Sequence, residues 1–123
     1  LVREDREIGE RAVAALSPDR VLGLRAALWW FSGDADRWLF VIGADQCKTQ
    51  GPKIAYLRVR ELLGSNGLLA ELPLDRVTLT VPDDPILKNV AVLHFHNRLP
   101  LRALAEDIGT FGFEIQGVYV YKI

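Results

Sequence analysis

All three tryptophans and the most hydrophobic run of the chain lie in one stretch, Leu24–Asp45, where two apolar runs flank a short polar turn. Trp38-Leu39-Phe40-Val41-Ile42 is aromatic and β-branched, which suits a pleated surface, and it is apolar on both of its alternating faces. A strand of that kind is covered on both sides, so the run is expected in the middle of a sheet. Ser32-Gly33-Asp34-Ala35-Asp36 supplies turn residues, and Leu24–Phe31 is the partner strand, with Arg25 reaching water. A helix opening at Ser17 and Pro18 and running through Ala26 and Ala27 to Phe31 competes for the first half. Gly23 and the Trp29-Trp30-Phe31 cluster weigh against it.

The rest of the chain supplies elements to pack on that hairpin. Arg3–Leu16 has the spacing of a helix with a thin apolar stripe of Ile8, Ala12, Ala15 and Leu16. Asp45–Gln50 reads as a polar loop, after which Gly51-Pro52 opens a second helix that buries Ala55, Val59, Leu62 and Leu63. Arg76–Val81 alternates as a half-buried strand. Asp84 and Pro85 then cap and start a short helix using Ile86, Val90 and Leu93, with a strand over Val90–His96 as the competing assignment. Pro100–Ile108 has helical spacing at Leu101, Leu104, Ala105 and Ile108, closed by Gly109. Phe111–Ile115 and Val118–Ile123 are strands, joined at Gln116-Gly117 by either a turn or a bulge. The expected fold is one α+β domain over residues 1–123, with a central, mainly antiparallel sheet of about five strands and three or four helices packed on it.

Composition narrows the function classes. With 15 basic and 16 acidic residues the net charge is −1, so no overall field draws the chain to nucleic acid or to an anionic membrane. No apolar run approaches the roughly 20 residues that cross a bilayer. The charged LVREDREIGER start lacks the apolar core of a signal peptide, and a single cysteine, Cys47, fits a reducing, cytoplasmic setting. The chain has no methionine, which places its expected natural start upstream of Leu1.

The tryptophan-rich hairpin, the polar loop, Gly51-Pro52 opening a helix and the terminal Val118-Tyr119-Val120-Tyr121-Lys122 strand resemble those of small uncharacterised bacterial α+β proteins. The likeness covers Leu24–Leu63 and the last dozen residues. It implies a bacterial, cytoplasmic accessory role and carries no activity with it.

Several residue sets are candidate sites. Asp45 and Lys48 follow a buried strand and precede a helix, and a carboxylate and a lysine so placed can hold a metal and a scissile phosphate. They lack the compact acidic-x-Lys spacing of strand-borne nucleases, so a solvated loop is the plainer reading. His94 and His96 would share one side of a strand and so could chelate a metal, whereas on a helix they diverge. Asp34 and Asp36 are better explained as turn formers than as a two-carboxylate metal site. Cys47 has Lys48 beside it but no identifiable base. Lys53, Arg58 and Arg60 form a modest basic helix face interrupted by Glu61. A pocket between Trp29, Trp30 and Trp38 is a further possibility. No Gly-rich phosphate loop is present, and neither a cofactor nor a metal is expected. Tyr119 and Tyr121 project from one side of the last strand, and tyrosine favours contact surfaces. The reading that results is a non-catalytic interaction domain acting through a protein partner or as a homo-oligomer, with Asp45, Lys48, Tyr119 and Tyr121 as binding residues. The alternative is a metal-dependent hydrolase of phosphodiesterase or nuclease type using Asp45 and Lys48.

Overall fold

The computed structural model describes residues 1–110 and 113–123; the Phe111-Gly112 start of one expected strand lies outside them. The elements are α1 (Arg3–Leu16), β1 (Leu24–Ser32), β2 (Arg37–Ala44), α2 (Asp45–Thr49), α3 (Pro52–Ser65), β3 (Val77–Thr80), α4 (Pro85–Phe95), β4 (Leu104–Thr110) and β5 (Phe113–Lys122). The five strands form one sheet in the order β3-β2-β1-β5-β4. β2 and β3 run parallel, joined by the crossover through α2 and α3 that parallel neighbours require, and the other pairs are antiparallel. The fold is α+β.

β1, not β2, occupies the centre. It pairs with β2 on one side and β5 on the other. Its alternation looks imperfect in sequence because the ladder slips between Leu24 and Ala26. That slip turns Arg25 to solvent and lets Leu24 and Ala27 enter the same core. β2 is still covered on both faces, with Phe40 and Ile42 in one core and Val41 in the other.

Helices cover both faces. On one, Ile8, Ala12 and Leu16 of α1 and Ala55, Val59 and Leu63 of α3 pack with Trp29, Phe40, Ile42, Tyr119 and Tyr121. On the other, Leu87, Val90 and Leu93 of α4 pack with Ala26, Leu28, Val118 and Val120. α4 settles the competition with a strand over Val90–His96: the Asp84 carboxylate accepts the Ile86 N–H at the helix start, and Leu87 rather than Ile86 faces inward.

Two further expectations fail. Asp45–Thr49 is a short helix rather than a loop, because the Asp45 and Gln46 N–H groups bond the Gly23 and Leu22 carbonyls and Cys47 is drawn into the core. The helix expected over Pro100–Ile108 is absent. Arg102 has φ +55, its N–H bonds the Val120 carbonyl and its guanidinium grips Glu10 of α1, after which the chain pairs along β5. The helical spacing arose from a break in strand phase: Ala105 and Ile108 both face the α4 side, as do Ile115 and Val118 opposite them, and Asp107 between has φ +53. Gln116-Gly117 therefore sits inside one long strand.

α1 lies close to the sheet because Gly9 has no side chain. A Cβ there would overlap the Tyr121 hydroxyl and ring. The Asp19 carboxylate, 7 % exposed, pairs with Arg58 and accepts the Val21 N–H, clamping the α1–β1 connection to α3. The Arg58 hydrogen bond is the main cause holding that carboxyl below its usual range, against the opposing effect of burial.

Gly9→Ala is expected to lose about 2 kcal/mol in urea unfolding, although alanine intrinsically favours a helix by about 1 kcal/mol over glycine, because the methyl overpacks the contact. Wild-type stability in that variant would show that α1 does not rest on Tyr121. Asp19→Asn should cost about 2 kcal/mol at neutral pH. Because the folded carboxyl titrates below the unfolded one, its contribution is complete above about pH 4 and fades as the pH falls further. The gap between variant and wild type should close below that pH, and a pH-independent gap would assign the effect to packing.

Candidate functional site

The residues singled out in the sequence do not converge. Asp45 begins α2 and approaches Arg25, Oδ1 to Nη1 3.5 Å, while Lys48 one turn later approaches Asp83, Nζ to Oδ2 3.5 Å. The carboxylate and the amine are each engaged by another element. A hydrogen bond from the Asp83 backbone N–H, and after it the Lys48 charge, holds the Asp83 carboxyl below its usual range. Among the described residues no group of three or more His, Cys, Asp or Glu is placed to hold a metal ion.

His94 and His96 lie at the C-terminal end of α4, where two residues of separation on a helix turn them away from each other. The His94 ring meets the Leu99 carbonyl at 2.6 Å, and since a carbonyl only accepts, Nδ1 carries the proton. His96 is exposed beyond the last turn. Asp34 and Asp36 are exposed in the β1–β2 turn, where Asp36 takes φ +51 and the Ser32 hydroxyl accepts the Ala35 N–H. On α3, Arg58 is taken by Asp19 and Glu61, which leaves Lys53 and Arg60 as exposed cations.

Tyr119 and Tyr121 do share one side of β5, but that side is interior. They are 8 % and 3 % exposed, and their rings meet edge to face at 5.2 Å. Each has a structural role: the Arg6 guanidinium covers the Tyr119 ring, and the Tyr121 hydroxyl donates to the Arg6 carbonyl at 2.7 Å. Burial pushes the Tyr121 phenol well above its usual range. β5 is not an edge, because β4 lies beside it, so the expected tyrosine contact surface does not form. The three tryptophans also separate. Trp29 is buried edge-on against Phe40, Trp38 lies across Gly117, where a Cβ would collide with the indole, and Trp30 faces the opposite side of the sheet. Trp30 lines a groove of about 370 Å³ with Leu39, Val41, Thr78 and Ile86.

Two features went unread in the sequence. Val92 and Phe95 stand three residues apart on the outer side of α4, 42 % and 83 % exposed. Their signal was apolar character off the buried Leu87-Val90-Leu93 stripe. The second is a groove of about 380 Å³ at the hairpin end of the sheet, lined by Leu1, Phe31, Trp38, Glu106, Asp107, Glu114 and Gln116. A helix over Pro100–Ile108 would have scattered those carboxylates. The strand brings them together.

Cys47 is buried in the α1–α3 core, and loss of hydration pushes its thiol up from the usual range. It has no activated character despite its neighbour Lys48. Reaction of the native protein with a disulfide reagent at pH 8 should be on the order of a hundredfold slower than in denaturant, limited by local opening. Equal rates would place the thiol at the surface. No family model matches the chain, and comparison with curated proteins and with solved structures finds no match.

Proposed function

We propose that the chain is a non-catalytic interaction domain, working through a protein partner or a second copy of itself. The observation that carries this reading is the outer face of α4. Phe95 is 83 % exposed beside Val92, on the opposite side of the helix from its buried stripe. Covering a phenylalanine and a valine side chain removes apolar area worth about 1.5–3 kcal/mol each, and aromatic residues are enriched where protein surfaces meet. Lys88, four residues before Val92, is exposed on the same side and supplies a polar margin. The alternative hydrolase reading draws no support from the placement of Asp45 and Lys48, whose ion pairs lead to different elements.

Sedimentation velocity over a wide concentration range tests the second-copy form. A photo-crosslinking residue at position 95, with exposed position 3 as control, tests the partner form in cell extract. Association or an adduct specific to position 95 is expected. Phe95→Ser should abolish it while changing folding stability by no more than about 0.5 kcal/mol. A monomer at every concentration, with no adduct specific to position 95, would refute the proposal.

A further inference from the structure

The groove at the hairpin end of the sheet has an unusual floor and rim. Phe31 and Trp38 form the floor, edge to face with ring centroids 5.5 Å apart, and both are only half-buried. Glu106 and Asp107 of β4 and Glu114 of β5 stand around them. Leu1 also lines the groove, and none of the three carboxylates has a basic partner, the Leu1 amino group included, within ion-pair distance among the described residues. Arg37, at the start of β2, is occupied by Asp75, both through its carboxylate at 3.7 Å and through its carbonyl at 2.8 Å. Asp34 and Asp36 in the neighbouring turn add negative charge to the same end of the sheet.

Aromatic faces attract a cation, and carboxylates take a guanidinium through paired N–H···O bonds. The edge of β4 identifies the kind of molecule that carries it. β4 is seven residues long and ends the sheet, so among the described residues its outer backbone groups have no strand beside them. A chain laid along it would gain main-chain hydrogen bonds and send alternate side chains to one face. A second copy of β4 is a poor candidate, because it would bring Glu106 and Asp107 against their own counterparts.

We propose that this groove receives an arginine side chain from an extended, basic segment of a partner protein running along β4. The guanidinium lies on Phe31 and Trp38 between Glu106 and Glu114. No α4 residue lines the groove. The assignment therefore stands or falls independently of the α4 surface.

The test uses two synthetic nonapeptides that alternate threonine and arginine, one with citrulline in place of every arginine. Binding to the whole chain is followed by amide and indole chemical shifts. The arginine peptide should shift Trp38 and β4, and the citrulline twin should bind at least about tenfold more weakly. The doubly substituted chain, Glu106→Gln with Glu114→Gln, should lose a similar factor, and affinity should fall as salt rises. Equal binding of the two peptides by the unaltered chain would overturn the proposal without reliance on any variant. So would wild-type affinity in the doubly substituted chain, shifts confined elsewhere, or no binding. Free arginine binding as tightly as the peptide would assign the groove to a small cation and overturn the partner segment.

Discussion

The indole N–H of Trp29 is a donor that must be paired inside an apolar core, and an unpaired one costs about 1–3 kcal/mol. Its acceptors come from two other elements: the Asp5 carbonyl of α1 at 3.0 Å and the Tyr121 hydroxyl of β5 at 3.2 Å. That hydroxyl donates in turn to the Arg6 carbonyl of α1. Satisfying one proton therefore fixes the central strand, its neighbour and the covering helix relative to one another. Arg76 completes the arrangement from the connection before β3. Its guanidinium lies 4.8 Å from the Trp29 ring centroid and pairs with the Asp5 carboxylate at 3.2 Å. The bare backbone at Gly9 follows from the same geometry, since α1 reaches these acceptors only by lying against the Tyr121 ring.

With α1 fixed in this way, the sheet's irregularities determine what remains on the surface. The slip at Arg25 sends one cation out of the central strand toward Asp45, which takes up the carboxylate that sequence reasoning offered to a metal. The phase break shared by β4 and β5 has a larger effect. Ile108 and Ile115 turn toward the α4-side core, and Gly117 opens space for the Trp38 indole. Glu106, Asp107 and Glu114 are left around the ring edges. A regular hairpin could not place Ala105 and Ile108, three residues apart, on one face.

How legible each part was depended on whether its signal was local. α1 and α3 were readable because the apolar stripe, and in α3 also the Gly51-Pro52 opening, lie within the segment itself. The Trp-bearing hairpin was readable from propensity and turn chemistry. The centre of the sheet was not, since the slip in β1 hid an alternation that only its two ladders restore. β4 was misread because a strand with one phase break reproduces the three-residue spacing of a helix. Nothing local distinguishes the two until β5 is beside it. Tyr119 and Tyr121 were placed correctly on one face but assigned to solvent, because sequence does not say whether a last strand has a neighbour. The scatter of Asp45, Lys48, His94 and His96 is a fact of tertiary packing alone.

The two ends of the sheet are treated differently. At the β3 end the Tyr56 hydroxyl donates to the Val77 carbonyl at 2.8 Å and accepts the Leu79 N–H at 3.2 Å. A four-residue edge with that backbone pair already occupied offers little to an incoming strand. No comparable side chain occupies the β4 backbone among the described residues; its protection is the charge on Glu106 and Asp107. Charge rejects selectively, where a hydroxyl plug rejects everything. A copy of the same strand or an acidic segment meets like charge at that edge, while a basic one meets unlike charge and an aromatic floor. The like charge that disfavours pairing of β4 with its own copy is therefore, on the proposal made above, also what would give the open edge a preference for a basic segment.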